Sequence, residues 1–502
     1  MKKARSTYTK RFRTRMLLCI WCALVTIIPV ALAVASQLAL QPDSYLPMIV
    51  VSRPQPAPAP SLAPSLAPSP TPGPAPTPGP APTPGPAPTP EPLPAAAVFG
   101  MVMSRISPDR GFDALRAAGV SWIRSDTTLL WRDVEPVEGG GYQWNTPTMQ
   151  HIEQEMALAS QAGLKFIMIV QGSPRWATTP YQADCAPINP TKYNRFATFL
   201  AAAVARYSQP PYNVVYWQVG NEPDAFIFQH DSGYGCWGVR TDPYYGGRAY
   251  GDMLKVVYPA IKAANPAVQV LHGSLLLDRP YNPVSGGGLT ARFLEGVLLA
   301  GAANSFDILP YNNYYWGNDL SSPDWKTPYL RNLMTTYNVP IKPMLMTETG
   351  LLCDPGCPKL QAYAVGRYYT RAISLNLLGA MWYIYDSDAF HHDAMVEPDD
   401  PAQHRPAYQA YQHMVKQLKN MTYVGPLTSQ PAGIEGYRFT RPDAIGTLTV
   451  FWSSKTQPVS IPVDPSATVA CTAWDGALLP CSNAAGSVAL SAELGPIYLV
   501  TR

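Results

Sequence analysis

The chain has 502 residues, 47% of them hydrophobic, and a formal net charge of only +3. That length exceeds one ordinary domain unless the domain is a large barrel, and the apolar share is enough for a sizeable core. Much of the positive charge sits in the first fifteen residues and the remainder is slightly acidic, which excludes the basic surface of a nucleic-acid-binding protein.

Residues 1–15 carry Lys2, Lys3, Arg5, Lys10, Arg11, Arg13 and Arg15, and residues 16–40 are uncharged and almost wholly apolar. A cationic flank followed by an apolar run directs export. The run is long for a signal peptide and, at a requirement of ~20 residues, long enough to span a bilayer as a helix. Ala33-Val34-Ala35 also has the small residues of a cleavage site. Residues 1–40 are therefore read as a cytoplasmic basic flank plus either a signal-anchor or a signal peptide cleaved near Ala35. Both place the rest of the chain outside the cell or on its surface, membrane-bound only if the helix is uncleaved.

The 55 prolines are concentrated in the next segment, 41–96, where Pro-Thr-Pro-Gly-Pro-Ala recurs from Pro70 onward. Such a sequence has no apolar face to bury and favours extended polyproline II. It reads as a disordered stalk that, at ~3.1 Å per residue, holds a domain on the order of 100 Å from its anchor.

From Val98 the pattern changes to strands alternating with helices. The strands are Ala97 to Met103, Ser121 to Asp126, Phe166 to Val170, the run containing Trp217, Val268 to His272, Phe306 to Tyr311, Met344 to Thr347 and Ala380 to Tyr385. Helices are expected between them; Thr146-Pro147 and Asn189-Pro190 supply cap and first-turn residues for two. Eight such repeats over 97–421 argue for an α/β fold, a (β/α)8 TIM barrel. A doubly wound sheet would call for a glycine-rich phosphate turn after an early strand, and none is present. Residues 422–502 then read as a small C-terminal all-β, sandwich-like domain of short strands separated by Gly, Pro, Asp and Asn turns. Trp452 and Trp474 are its candidates for sugar contact, against a packing role for each.

Outside the N-terminal run lie six cysteines, Cys185, Cys236, Cys353, Cys357, Cys471 and Cys481. An even number in an exported chain suggests disulfides, and nearest-neighbour pairing gives Cys185–Cys236, Cys353–Cys357 and Cys471–Cys481. A zinc site at Cys353 and Cys357 has no histidine or further cysteine pair to complete it. His391-His392-Asp393 lies in a loop with no spaced partner, so no metal and no cofactor is called for.

Two stretches carry chemistry. Val214-Val215-Tyr216-Trp217-Gln218-Val219 has the bias of a buried strand and runs into Gly220-Asn221-Glu222-Pro223, where proline stops the ladder. Pro343-Met344-Leu345-Met346-Thr347-Glu348 is again apolar, ends in a glutamate and is followed by Thr349-Gly350. Catalytic residues of such barrels sit at the C-terminal ends of strands. Two carboxyl groups flanking one sugar are what glycoside hydrolysis needs, and a separation of about 5–5.5 Å gives retention.

Asn221-Glu222-Pro223 on strand four with Glu348 ending strand seven resembles the clan A retaining glycoside hydrolases, similar to families thirty-nine and five. The resemblance covers the barrel and implies that Glu222 is the acid/base and Glu348 the nucleophile. It also implies that Arg124 lies near the nucleophile, where a cation favours the charged carboxylate, and that Tyr314 hydrogen-bonds it. Asn312 stands where many relatives have histidine. Asn221 is expected on the sugar 2-hydroxyl, Trp382 as an aromatic platform under the sugar, and Trp176 along the cleft. Glu135 is taken as structural. The expected partner is a carbohydrate substrate, with no protein partner implied. The rival is a catalytically inactive cell-surface carbohydrate-binding protein on the same barrel.

Overall fold

Between Phe99 and Leu418 eight parallel strands alternate with eight helices. The strands are β1 (Phe99–Met103), β2 (Trp122–Ser125), β3 (Lys165–Gln171), β4 (Tyr216–Val219), β5 (Gln269–Leu271), β6 (Leu309–Trp316), β7 (Met344–Leu352) and β8 (Ala380–Trp382). The helices that follow the strands are α1 (Phe112–Ala117), α2 (Pro147–Gln161), α3 (Tyr193–Tyr207), α4 (Gly247–Ala264), α5 (Phe293–Leu299), α6 (Lys326–Thr336), α7 (Pro358–Ser374) and α8 (Pro406–Leu418), with a further single turn of helix, Trp131–Val134, between β2 and α2. The computed structural model describes residues 98–178, 187–225, 237–316, 320, 324–353, 356–387, 390, 392–397, 399–428, 430–441 and 446–502. The basic flank, apolar run and stalk lie outside the described residues, as do Cys185, Cys236 and His391. Among the described residues no helix is long and apolar enough to cross a membrane.

Strand order around the sheet is β5-β4-β3-β2-β1-β8-β7-β6, all parallel. The ring closes between β5 and β6 through bridges Leu271–Ile308 and Leu275–Tyr311, with His272 N–H donating to Ile308 O at 3.1 Å and Leu275 N–H to Pro310 O at 3.1 Å. Side chains alternate as the pleat requires. Val102, Trp122, Ile167, Leu271, Ile308, Leu345 and Met381 form one buried cluster inside the ring. Their neighbours in sequence, Met103, Ile123, Met168, Val270, Met346 and Trp382, belong to the layer packed under the helices. Both faces of each strand are thus apolar, which is why the strands read as continuous hydrophobic runs.

The expected caps are in place. Thr146 accepts from Met149 N–H at 3.2 Å, with Pro147 in the first turn of α2. Asn189 accepts from Thr191 N–H at 3.0 Å and opens a short 3-10 turn, Pro190–Lys192, that leads into α3. The sixth strand runs Leu309–Trp316 rather than Phe306 to Tyr311, and the eighth stops at Trp382.

After α8 the chain forms antiparallel sheets. One has six strands, in the order Thr422–Pro426, Ile434–Thr440, Thr447–Ser453, Ile497–Thr501, Val469–Thr472, Leu478–Leu479. The other pairs Gln457–Pro462 with Ser487–Ala492. Phe451, Cys471, Ile497 and Leu499 from the first share a buried cluster with Val459, Ile461 and Val488 from the second. The first strand of the larger sheet escapes a pattern search because its register shifts between Tyr423 and Gly425. Disulfides join Cys471 to Cys481 and Cys353 to Cys357, with Cα atoms 6.1 and 5.7 Å apart.

The β sheets pack on α7. Arg371 pairs with Glu435 at 2.6 Å, and Arg367 donates to Leu494 O at 2.7 Å. Both guanidinium groups lie over the Trp452 ring, 5.2 and 5.5 Å from its centroid. Of the two roles open to Trp452 it takes the packing one: its ring is buried and its indole N–H donates to Glu435. Trp474 packs as well, edge-on against Tyr363 of α7.

Candidate active site

At the rim of β4 the backbone leaves the sheet through Gly220 (φ +81°), and Glu222 itself has φ +47°. A non-glycine residue in that region costs ~1–3 kcal/mol and needs support from its surroundings. The support is local: Glu222 N–H donates to Ser274 O at 2.8 Å, and Glu222 O accepts from Ala225 N–H at 3.0 Å. The side chain is buried, and its Oε1 accepts from Asn312 Nδ2 at 2.7 Å. Burial and the nearby Glu348 charge push the Glu222 carboxyl up to about 8.

The Asn312 amide has one orientation available to it. Its Oδ1 accepts from Ser274 Oγ at 2.7 Å and Thr347 Oγ1 at 2.9 Å, which turns Nδ2 toward Glu222. Beneath it, Lys326 Nζ donates to Asn312 O and Leu276 O, each at 2.6 Å. Burial draws Lys326 down to about 8. Asn312 is fully buried and acts on Glu222, which corrects the expectation that it contacts substrate.

Glu348 faces the same cleft because β7 is irregular there. Tyr311 pairs with Met346 and Asn312 with Glu348, so Thr347 is an extra residue. Such a bulge re-aims side chains, and here Thr347 and Glu348 both reach the rim network. Arg124 Nη2 donates to Glu348 Oε1, and Tyr314 OH donates to Glu348 Oε2. Glu348 is thus paired with a buried guanidinium and a phenol, the two residues expected beside it.

The cleft holds about 420 Å³ and is bordered by both glutamates, Arg124, Tyr314 and Asn221. Asn221 Oδ1 accepts from Gln218 Nε2 at 3.3 Å. The bordering residues that were not anticipated include Asp126 and Tyr383, with Tyr383 OH donating to Asp126 Oδ2 at 3.3 Å. Enclosing walls and the Glu348 charge push Asp126 up, although its side chain is exposed to the cleft. A signal for Asp126 was available: it stands two positions beyond Arg124, on the same face of an extended run.

Trp382 does not border the cleft. It is 0% exposed, stacks against Tyr368 of α7 and donates its indole N–H to Asp393 O at 3.3 Å. Strand alternation is the reason: Met381 points into the ring, Trp382 outward, and Tyr383 takes the cleft position. Trp176 is likewise corrected. It packs edge-on against Trp131 and donates to Glu135 O at 3.2 Å. Glu135 is structural, as expected: it is fully buried, accepts from Trp131 Nε1 at 2.9 Å and pairs with Arg195. Asp393 accepts from Gln361 of α7, and no cluster of metal-ligating side chains occurs among the described residues.

No protein-family model matches the chain, and no curated protein matches it in sequence. Solved structures do match it. A family 39 glycoside hydrolase from the gut symbiont Bacteroides cellulosilyticus WH2 superposes with TM-score 0.63 at 22% identity, over 82% of this chain and 83% of that one. A glycoside hydrolase family 30 subfamily 8 xylanase from Clostridium acetobutylicum gives TM-score 0.56 at 14% identity, over 80% of this chain and 95% of that one. A monomeric beta-xylosidase from Caulobacter crescentus CB15 gives 0.52 at 14% identity, over 82% and 96%. What is shared at these identities is the fold.

Proposed function

We propose that the chain is an exported retaining glycoside hydrolase that cleaves β-linked glycosides or polysaccharides by double displacement. One observation carries the reading: two glutamates face one cleft in opposite environments. Glu348 is paired with the Arg124 guanidinium and accepts from the Tyr314 phenol. Glu222 is buried against the Asn312 amide and raised to about 8, so it is protonated at neutral pH. A protonated Glu222 is fitted to act as the acid, which leaves Glu348, held by Arg124 and Tyr314, as the group that attacks.

In the first step Glu348 attacks the anomeric carbon while Glu222 gives its proton to the departing oxygen. A glycosyl ester on Glu348 results. In the second step Glu222, now a carboxylate, takes a proton from water, which displaces Glu348 from the same face the leaving group occupied. Asn221 is placed by this reading on the sugar 2-hydroxyl, a bond that strengthens as positive charge develops on the ring. The xylanase and β-xylosidase that share this fold make β-xylosides the first substrates to try. Export rests on residues 1–40, and the surface display on the Pro-rich segment that follows them. No observation favours the inert sugar-binding barrel, because both carboxyl groups and their hydrogen-bond partners are in place.

The test is the anomer formed first when the purified protein cleaves an aryl β-glycoside, read by proton NMR. A β-anomer is expected, and Glu222→Ala with added azide should yield the β-glycosyl azide. An α-anomer formed first would rule out double displacement.

A further inference from the structure

The cleft contains a carboxyl group that the two-glutamate mechanism does not use. Asp126 is fixed at the rim of β2 by its N–H, which donates to Met103 O at 2.9 Å. Its side chain is exposed to the cleft, whereas Arg124, Glu222 and Glu348 around it are buried. Tyr383 OH donates to Oδ2 at 3.3 Å, and Oδ1 has no hydrogen-bond partner among the described residues. An ionised carboxylate has about four lone-pair positions, so this one keeps most of its accepting capacity for a ligand. Tyr383 is itself set edge-on to Tyr314 and to Phe390, with ring centroids 6.1 and 5.5 Å away, so the phenol that orients Asp126 is held by packing.

The charge balance narrows the ligand. Among the described residues bordering the cleft, Arg124 is the one cation, against the carboxyl groups of Asp126 and Glu348, with Glu222 protonated and neutral. Arg124 is already committed to Glu348. A carboxylate or sulfate on the bound sugar would meet acidic groups and find no free cation. Sugar hydroxyls, by contrast, are the donors that an open carboxylate lacks.

We propose that Asp126 is a specificity-determining residue, accepting hydrogen bonds from two adjacent hydroxyls of the sugar at the scissile bond and restricting that sugar to uncharged glycosides. The inference rests on the glycosidase reading above and names its substrate class.

The experiment compares wild type with the isosteric Asp126→Asn on aryl β-xyloside, β-glucoside, β-glucuronide and a set of monodeoxy β-glucosides. Thermal melts establish that both proteins are folded, and Asp126→Glu serves as a second variant that keeps the charge but displaces it. Expected are a fall of about 10- to 100-fold in kcat/KM on the best neutral glycoside and a rise of roughly tenfold in the glucuronide-to-glucoside ratio. The deoxy substrate lacking a contacted hydroxyl should lose rate on wild type and lose no more on Asp126→Asn, a pattern that a general structural defect does not produce. Unchanged kcat/KM on neutral glycosides in Asp126→Asn, or a wild-type preference for the glucuronide, overturns the inference and leaves the glycosidase reading standing. If wild type binds xylo-oligosaccharides without cleaving any substrate, the catalytic reading fails alone. Asp126 is then judged by oligosaccharide affinity, and an unchanged Kd in Asp126→Asn overturns the inference.

Discussion

Two sides of the cleft rim carry the same residue type in unlike surroundings. On the β4–β5–β6 side, Glu222 is buried against a neutral amide whose own oxygen is held by two hydroxyls. On the β2–β7 side, Glu348 meets a guanidinium and a phenol, and Asp126 adds a further acidic group within reach. The first side disfavours charge, and the second supplies partners for it. The difference teaches that the division of labour is set by what each strand end borrows from its neighbours, since the two side chains are chemically identical.

The comparison breaks most sharply at Glu348. Glu348→Ala removes the attacking group and leaves Arg124 without its partner, so kcat should fall by about 10⁴-fold or more. Turnover of any β-glycoside at a rate near wild type would show that this side of the rim is not the nucleophile's. Glu222→Gln comes next, with an expected loss of about 10²- to 10⁴-fold that is smaller for substrates with good leaving groups. It also tests the environment directly. Native Glu222 holds its proton up to about 8 against an ordinary 4.5. Between those values the native state binds a proton that the unfolded chain has released, so wild-type stability falls as pH rises across that window. Glutamine has no such titration. The variant's Tm should therefore rise relative to wild type from pH 5 to pH 8 and exceed it at the upper end. Parallel Tm curves for the two proteins would contradict the buried, protonated state.

The contrast between the two sides was only half legible in the sequence. Each glutamate closes an apolar run at a proline or glycine, so the pair and the barrel that presents it could be read from residue pattern. Arg124 and Tyr314 followed from resemblance, and both lie on Glu348. The bulge at Thr347 has no local signature, because it is defined by pairing with β6, a strand 36 residues earlier in the register of Asn312 and Glu348. The same limit explains Trp382. A one-residue change of face moves a side chain from cleft to core, and the aromatic pair Trp382-Tyr383 offers both faces an equally plausible ring. Ser274 and Lys326 were invisible because their partners are backbone and amide groups on other strands.

Asn312 sharpens the comparison from the Glu222 side. Its amide hydrogen bond favours the ionised form of Glu222 and so opposes the upward shift. Removing it in Asn312→Ala should move the alkaline limb of kcat/KM to higher pH, a shift not expected if Asn312 merely bound substrate. The hydroxyls of Ser274 and Thr347 lose their acceptor, at a cost of about 1–3 kcal/mol in stability. A reduction in kcat of roughly tenfold is expected, smaller than for either glutamate.

The smallest effect on activity belongs to the seam between α7 and the β sheets. Arg371 there is buried, pairs twice with Glu435 and lies over Trp452, so its loss leaves Glu435 facing an apolar ring with only Tyr437 and Trp452 as donors. Breaking a largely buried pair costs about 3–5 kcal/mol, less here because Glu435 is one-third exposed. Arg371→Ala should therefore lower Tm by several degrees while kcat/KM at 25 °C stays within about twofold of wild type, since no cleft residue contacts this pair. A matching Trp474→Ala should lower Tm without weakening polysaccharide binding, because the ring is spent on Tyr363. Loss of binding at unchanged Tm would return a sugar-contact role to this domain and extend the functional surface beyond the two rim sides compared above.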